Sequence, residues 1–142
     1  MALDEATATF LADHHQAAMI TVGADGYPKA VRVGVVLVDG KLWSSGTRDR
    51  VRTARVRHDP RCTLFVFDPG FASLTLEATV TVLDGLDAPE LSVQLFRAMQ
   101  NRPTGALSWY GRELDQDAFR QAMVDEGRLI YEFNVHRVYG MA

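Results

Sequence analysis

Between Ser73 and Val82 apolar and polar residues alternate without a break, with Leu74, Leu76, Ala78, Val80 and Val82 on one side and Ser73, Thr75, Glu77, Thr79 and Thr81 on the other. A period of two predicts a β-strand with one buried face. Further strands are expected at Ala17–Val22, Ala30–Val38, Lys41–Ser45, Cys62–Phe67 and Arg128–Val138. The turn chemistry between them is explicit: Asp25-Gly26, Asp39-Gly40, Asp68-Pro69-Gly70 and Asp84-Gly85. Helical spacing is confined to shorter stretches. Asp4 to His14, with Leu3, Ala6, Phe10 and Leu11, predicts a short amphipathic lid helix with acidic residues in its first turn. Ala88–Gln100 places Leu91, Leu95, Ala98 and Met99 on one side, and Asp115–Asp125 places Phe119, Ala122 and Met123 together. An arginine-dense helix ends at Asp59-Pro60, and Asn101–Arg112, broken by Pro103, Gly105 and Gly111, reads as a loop or broken helix.

Six strands in hairpin-connected runs exclude a doubly wound parallel sheet, in which strands and helices alternate, and predict a mainly β protein with short helices: a six-stranded antiparallel barrel with peripheral helices. A barrel this small fills its interior with side chains, so a ligand is expected outside it or between two copies. No repeat, low-complexity tract or linker divides residues 1–142, which read as one domain.

Composition adds exclusions. The 142 residues are 47% apolar, an ordinary globular balance. No apolar run approaches the roughly 20 residues that cross a bilayer, and Asp4 and Glu5 stand where a targeting segment would be basic. The expected location is cytoplasmic, with no membrane partner. Cys62 is the only cysteine, which excludes an internal disulfide framework or a multi-cysteine zinc site and leaves a small core residue. A formal net charge of −3 argues against nucleic acid and for a small anionic ligand, because the basic residues form a local island. Of the 15 basic residues only Lys29 and Lys41 are not arginine, a usage common in GC-rich genomes.

That island carries the candidate chemistry. From Trp43 to Arg61 a strand runs into the turn Ser44-Ser45-Gly46-Thr47 and then into a helix bearing Arg48, Arg50, Arg52, Arg55 and Arg57. Hydroxyls and free N–H groups at a helix start, the positive end of the macrodipole and forked guanidinium donors are the means of holding a phosphate. Capping and a solvated arginine face use the same residues. By helical spacing Arg48, Arg52 and Arg55 share a face, while Arg50 and Arg57 project elsewhere. Arg32 interrupts an apolar strand, either as an edge charge paired with an acid or beside a ligand, and Gly34 on its face would let a flat ring approach. His14, His15 and His58 read as helix-end residues, and none of the histidines neighbours a nucleophile. Phe65, Phe67 and Phe71 are expected in the core, and Trp109-Tyr110 either walls a pocket or anchors its loop. No metal site and no catalytic residue is assigned.

The ordered set Asp25-Gly-Tyr-Pro28, Arg32 in a Val-rich strand, Ser45-Gly-Thr47, and Arg52 ahead of Asp59-Pro60-Arg61 resembles the split β-barrel flavin and deazaflavin oxidoreductases, the superfamily of the pyridoxamine 5′-phosphate oxidases. Phe119-Arg-Gln-Ala-Met123, Arg128-Leu-Ile and His136-Arg-Val-Tyr-Gly140 are similar to the actinobacterial branch that uses the deazaflavin coenzyme F420. The resemblance implies a split β-barrel and a cofactor phosphate bound at Arg52, helped by Arg50 and the turn Ser45, Gly46 and Thr47. Arg32 would border the ring. Relatives often carry Lys at the position of Arg52 and Asn at that of Arg55; the first exchange keeps the charge and changes its geometry.

The implied activity is hydride transfer from reduced F420 to an electron-poor quinone, enone or tetrapyrrole-like molecule, the cofactor supplying the chemistry. Extra arginines, Arg48, Arg55 and Arg57, suit the phosphodiester and polyglutamate tail of F420 better than the single phosphate of FMN, the alternative cofactor. Other readings are a non-catalytic binder of flavin, F420 or haem and a pyridoxamine phosphate oxidase proper, whose carboxy-terminal substrate motif is not recognisable before Tyr139-Gly-Met-Ala142. A C2 homodimer is expected, the second copy walling the cofactor.

Overall fold

The stretch Ala30–Val38 is not one strand but two, and the architecture turns on the break at Val35. In the computed structural model, which describes residues 3–141, the chain runs α1 (Glu5–Asp13), β1 (Gln16–Val22), β2 (Pro28–Gly34), β3 (Val36–Val38), β4 (Lys41–Thr47), α2 (Val51–His58), β5 (Arg61–Phe67), β6 (Ser73–Leu83), α3 (Ala88–Gln100), β7 (Leu107–Trp109), β8 (Arg112–Leu114), α4 (Gln116–Asp125) and β9 (Arg128–Met141). The sheet order is β2-β1-β5-β6-β9-β4-β3, antiparallel throughout. Its two edges, β2 and β3, are therefore consecutive in sequence. Only a sheet curled on itself allows that, and Val35 is the hinge: its N–H donates to His15 O at 2.7 Å, and His15 Nδ1 lies 2.9 Å from Val35 O. The seven-stranded curled sheet replaces the six strands expected and is a split barrel.

Inward residues of every long strand fill the interior, among them Met19, Leu64, Val66, Leu76, Leu129 and Tyr131, all fully buried. Burying each such side chain is worth about 1.5–3 kcal/mol relative to exposure. The first helix is a plug rather than a lid: Phe10 and Leu11 enter this core, Asp4 caps the helix by accepting from Thr7 N–H, and His14 ends it. Val56 of α2 enters the same core, and Arg55 Nε donates to Thr21 Oγ1 near the end of β1. Outside the barrel, α3 lays Leu95 on Val36, Trp43 and Ile130, and α4 packs Phe119 and Met123 beside Val93 and Leu107.

Four further expectations are corrected. The segment 101–112 contains β7 and the start of β8, a ribbon turned at Tyr110-Gly111 with φ of 48° and 76°, the geometry of a tight primed hairpin. The closing strand runs on to Met141, and Ala142, the end of the tail reading, lies outside the described residues. Phe65, Phe67 and Phe71 are not core. Cys62, Leu64 and Val66 take the inward positions of β5, so Phe65 and Phe67 stack on its outer face, and Phe71, in a turn, is 92% exposed. Lastly, the arginine helix starts only at Val51, so Arg48 lies before it and shares no helical face with Arg52 and Arg55.

Candidate functional site

Where the barrel is split, β2 faces β4 across a cleft of about 380 Å³ walled by Arg32, Gly34, Ser45, Met99, Trp109 and Arg128. Arg50, Arg52, Tyr110 and Arg128 line this cleft and also a groove of about 770 Å³ that passes Thr47 and Arg55. The two form one connected depression at the start of α2.

The local sequence explains the placement. Strand β4 ends at Thr47, whose hydroxyl donates to Asp49 at 2.7 Å and whose carbonyl accepts the Thr53 hydroxyl at 2.7 Å. These bonds tie the turn to the first helical turn and leave Arg50 as the N-cap, with no side chain capping the helix. An uncapped N-terminus has free N–H groups and the positive end of the macrodipole. Arg50, at that end, and Arg52, in the first turn, project into the cleft.

Among the described residues neither Arg50 nor Arg52 forms an ion pair, whereas Arg57 and Arg48 both engage Asp84, at 2.6 and 3.6 Å. Arg52 is half-buried with its Nε unpartnered, as are the hydroxyls of Ser44 and Ser45. Burial lowers the Arg52 pKa from its usual value; the Arg50 and Arg128 charges act the same way and Tyr131 opposes them. A guanidinium nevertheless stays charged at any physiological pH. Crowded like charges and orphaned donors form a site that an anion would complete.

Arg128 is the residue the sequence reading missed as a site member. It is 9% exposed, begins β9 just after Gly127 (φ +63°), and sits 5.1 Å above the Trp109 ring. Glu126 holds it: Oε1 accepts from Arg128 Nε at 2.9 Å while Oε2 accepts from Trp109 Nε1 at 2.8 Å. A charge opening an apolar strand was the available signal. Trp109 is thus both anchor and wall, and Tyr110, 78% exposed at the ribbon tip, overhangs both cavities with its hydroxyl 3.5 Å from Arg128.

Of the residues expected to bind a cofactor, Arg32, Ser45, Arg50 and Arg52 line the cleft and Thr47 the groove. Arg32 is partnered by Gln16 rather than by an acid. Gly46 is different: it lines neither cavity, and a β-carbon there would overlap Tyr131 Cζ and Oη, so it is glycine for packing. The open space expected over Gly34 is taken by Met99, whose methyl lies 3.2 Å from where a β-carbon would stand. Arg48 and Arg57 line neither cavity, which removes two of the three arginines invoked for a long anionic tail; Arg55 remains on the groove.

The family profile described as pyridoxamine 5′-phosphate oxidase matches residues 3–142. A conserved hypothetical protein of Mycobacterium tuberculosis, Rv2991, superposes with a TM-score of 0.76 at 18% identity, covering 98% of this chain and 84% of its own. A protein described as an F420 reductase gives 0.70 at 15% identity, covering 96% and 98%. A FAD-binding protein of Mesorhizobium loti gives 0.64 at 14%, covering 97% and 94%. Identities this low speak to the fold.

Proposed function

The chain belongs to the pyridoxamine 5′-phosphate oxidase family, and from that premise we propose that it is an F420-dependent oxidoreductase that reduces an electron-poor small organic molecule such as a quinone or enone. The observation that carries the reading is the convergence of Arg50, Arg52 and Arg128 on one depression whose Arg52 Nε and Ser45 hydroxyl have no partner among the described residues. These residues fit the anionic end of such a cofactor, with Arg55 further along the groove. Arg32, Ser45 and Met99 would border its ring. Bound there, the deazaflavin supplies hydride transfer. The chain's own work is to neutralise the anion, hold the ring against the seam of the barrel and keep water out under Trp109 and Tyr110; no acid–base pair is required of it.

FMN is the second reading, favoured by one observation. With Arg48 and Arg57 tied to Asp84, and Asp49, Asp125 and Glu126 also lining the groove, less positive charge is free for a polyanionic tail than the sequence suggests.

The cofactor would lie at an interface between two copies. Support comes from exposed apolar side chains on the outside of the sheet and its edge turn: Val22 of β1 and Phe65 of β5 are each 39% exposed, Tyr139 of β9 45%, and Phe71, in the turn after β5, 92%. Large apolar side chains left this exposed are a common mark of an association surface.

Titration of the purified protein with F420, FMN and haem, followed by absorbance, tests the assignment. F420 should saturate at one per chain, and its reduced form should be oxidised on addition of menadione. Saturation by FMN with no response to F420 replaces the cofactor; binding without turnover makes the protein a carrier; no binding of either overturns the proposal.

A further inference from the structure

We propose that Tyr131, which lies inside the barrel and lines neither cavity, is the positioning residue for Arg52, so that anion affinity in the cleft depends on a phenol that touches no ligand. The inference rests on the anion-binding reading above and adds to it the device that aims the charge.

Three observations carry it. Tyr131 is fully buried, and its hydroxyl is hydrogen-bonded to Thr53 Oγ1, itself in a residue with no exposure. The direction of that bond is fixed: Thr53 spends its single proton on Thr47 O at 2.7 Å, so Tyr131 must be the donor, and the chain of bonds reads Tyr131 to Thr53 to Thr47. It links β9, α2 and β4 at the point where Arg50 and Arg52 emerge. Second, the Arg52 guanidinium carbon lies 5.8 Å from the centre of the Tyr131 ring, within range of attraction to its π-face, so the same side chain that fixes the helix start seats the charge. Third, β4 makes room for the phenol at a cost in side chain, because Gly46 is the one residue that clears Tyr131 Cζ and Oη. A phenylalanine would fill the same volume of core. The glycine makes room for the ring; the hydroxyl and its donor direction add a bond that ties the start of α2 to β9.

A turn held less firmly spreads Arg52 over several rotamers, and a site that must re-order a long side chain on binding loses affinity. The test is calorimetric titration with inorganic pyrophosphate at low salt, at a temperature where circular dichroism shows each variant fully folded. Wild type, Tyr131→Phe, Thr53→Val, Thr53→Ser and Arg52→Met are compared. Losing the single Tyr131–Thr53 bond should weaken binding about 5- to 20-fold in Tyr131→Phe, and Thr53→Val, which removes both bonds of the relay, should weaken it at least as much. Thr53→Ser, which restores the hydroxyl, should restore affinity. Arg52→Met sets the floor. A lowered melting temperature in Tyr131→Phe with affinity within twofold of wild type would mean a structural role only and overturn the proposal. If Arg52→Met itself binds pyrophosphate like wild type, the anion site falls, and this inference falls with it, by a result that is distinct from the first.

Discussion

Replacing Arg52 by methionine should make the ligand-free protein more stable and the liganded protein weaker, and the two signs together are the signature of a charge kept for a ligand. The methionine retains much of the apolar stem, so packing changes little. What disappears is a half-buried cation with an unpartnered Nε, crowded by Arg50 and Arg128. Leaving a buried donor unpaired costs about 1–3 kcal/mol. Against that stands the attraction to the Tyr131 ring at 5.8 Å, worth about 0.5–1 kcal/mol. The difference favours the variant by about 1 kcal/mol, or about 2–4 °C in Tm for a chain of this size. In the liganded state a guanidinium making two charge-assisted bonds contributes about 1.5–3 kcal/mol per bond. With Arg50 and Arg128 compensating in part, a net loss of about 2–4 kcal/mol corresponds to about a 30- to 1000-fold rise in Kd.

Scanning calorimetry with and without cofactor, and absorbance titration, measure both sides. At a ligand concentration near 100 times its Kd the wild type gains about 2.7 kcal/mol, so its loaded Tm should overtake that of the loaded variant and the order of the two melting curves should invert on adding ligand. A variant that melts lower than wild type when empty, or one that binds F420 and FMN unchanged, refutes the reasoning.

Other outcomes follow from the same contacts. Gly46→Ala should cost about 1–3 kcal/mol or more by overpacking against Tyr131, and Tyr131→Leu in the same chain should return part of it; chemical denaturation of the two single variants and the double variant measures the coupling. Asp84→Asn, which frees Arg48 and Arg57, should lower stability by no more than about 1 kcal/mol and leave cofactor affinity within twofold; a tenfold change in affinity would place those arginines back in the site. If the protein is the dimer proposed, Phe65→Asp combined with Phe71→Ser should convert it to a monomer in sedimentation velocity, and a dimer left unchanged would move the interface elsewhere. Burial pushes the Cys62 thiol up to about 12. The native protein should therefore resist alkylation at pH 8 while the unfolded chain reacts. Its stability contribution, intact below the ordinary thiol value, should decline as pH rises from there toward about 12, because only the unfolded thiol can ionise in that window.

The strands were legible because alternation is a local signal: β6 shows it without interruption, and Asp39-Gly40, with φ of 51° and 78°, forms the tight turn its dipeptide predicts. The break at Val35 was not, since Val33-Gly34-Val35-Val36 is apolar on both faces and the bonds that hold Val35 come from His15, just before the neighbouring strand β1 and 20 residues away in sequence. Phe65 and Phe67 misled for a related reason. Strand β5 is apolar on both faces, and which face is inner is settled by its register against β1 and β6, where Leu64 sits between Met19 and Leu76. In the candidate site, Arg50, Arg52, Ser45 and Thr47 could be read together because the cradle is nearly continuous in sequence. Arg128 joins from the far end of the chain, and the capture of Arg48 and Arg57 by Asp84 is tertiary, so neither leaves a trace in local spacing.

Charge accounting makes the same site stand out in another way. With 18 acids against 15 bases, the chain has carboxylates to spare, and it uses them freely on arginines elsewhere: Arg57 on Asp84, Arg61 on Asp59, Arg102 on Glu113 and Arg120 on Glu90. Asp59 is held down to about 2 by its arginine, chiefly through their hydrogen bond. Arg50 and Arg52 have no such partner among the described residues, nor do Arg32, Arg55, Arg97, Arg112 and Arg137, so what sets the pair apart is the company they keep. Arg50 and Arg52 share a depression with each other and with Arg128, whose one carboxylate, Glu126, is divided between it and the Trp109 indole. Asp49, Asp125 and Glu126 also line the groove, yet among the described residues none of them pairs with Arg50 or Arg52, and repulsion between the arginines lowers stability for as long as no anion is present. The arrangement becomes favourable only with an external anion in place, so the free energy that the folded chain forgoes when empty is what it recovers on binding. The barrel supplies the rigidity for this exchange: the arginines are fixed by α2 and β9, not by a mobile loop, so little conformational entropy is lost when the anion arrives.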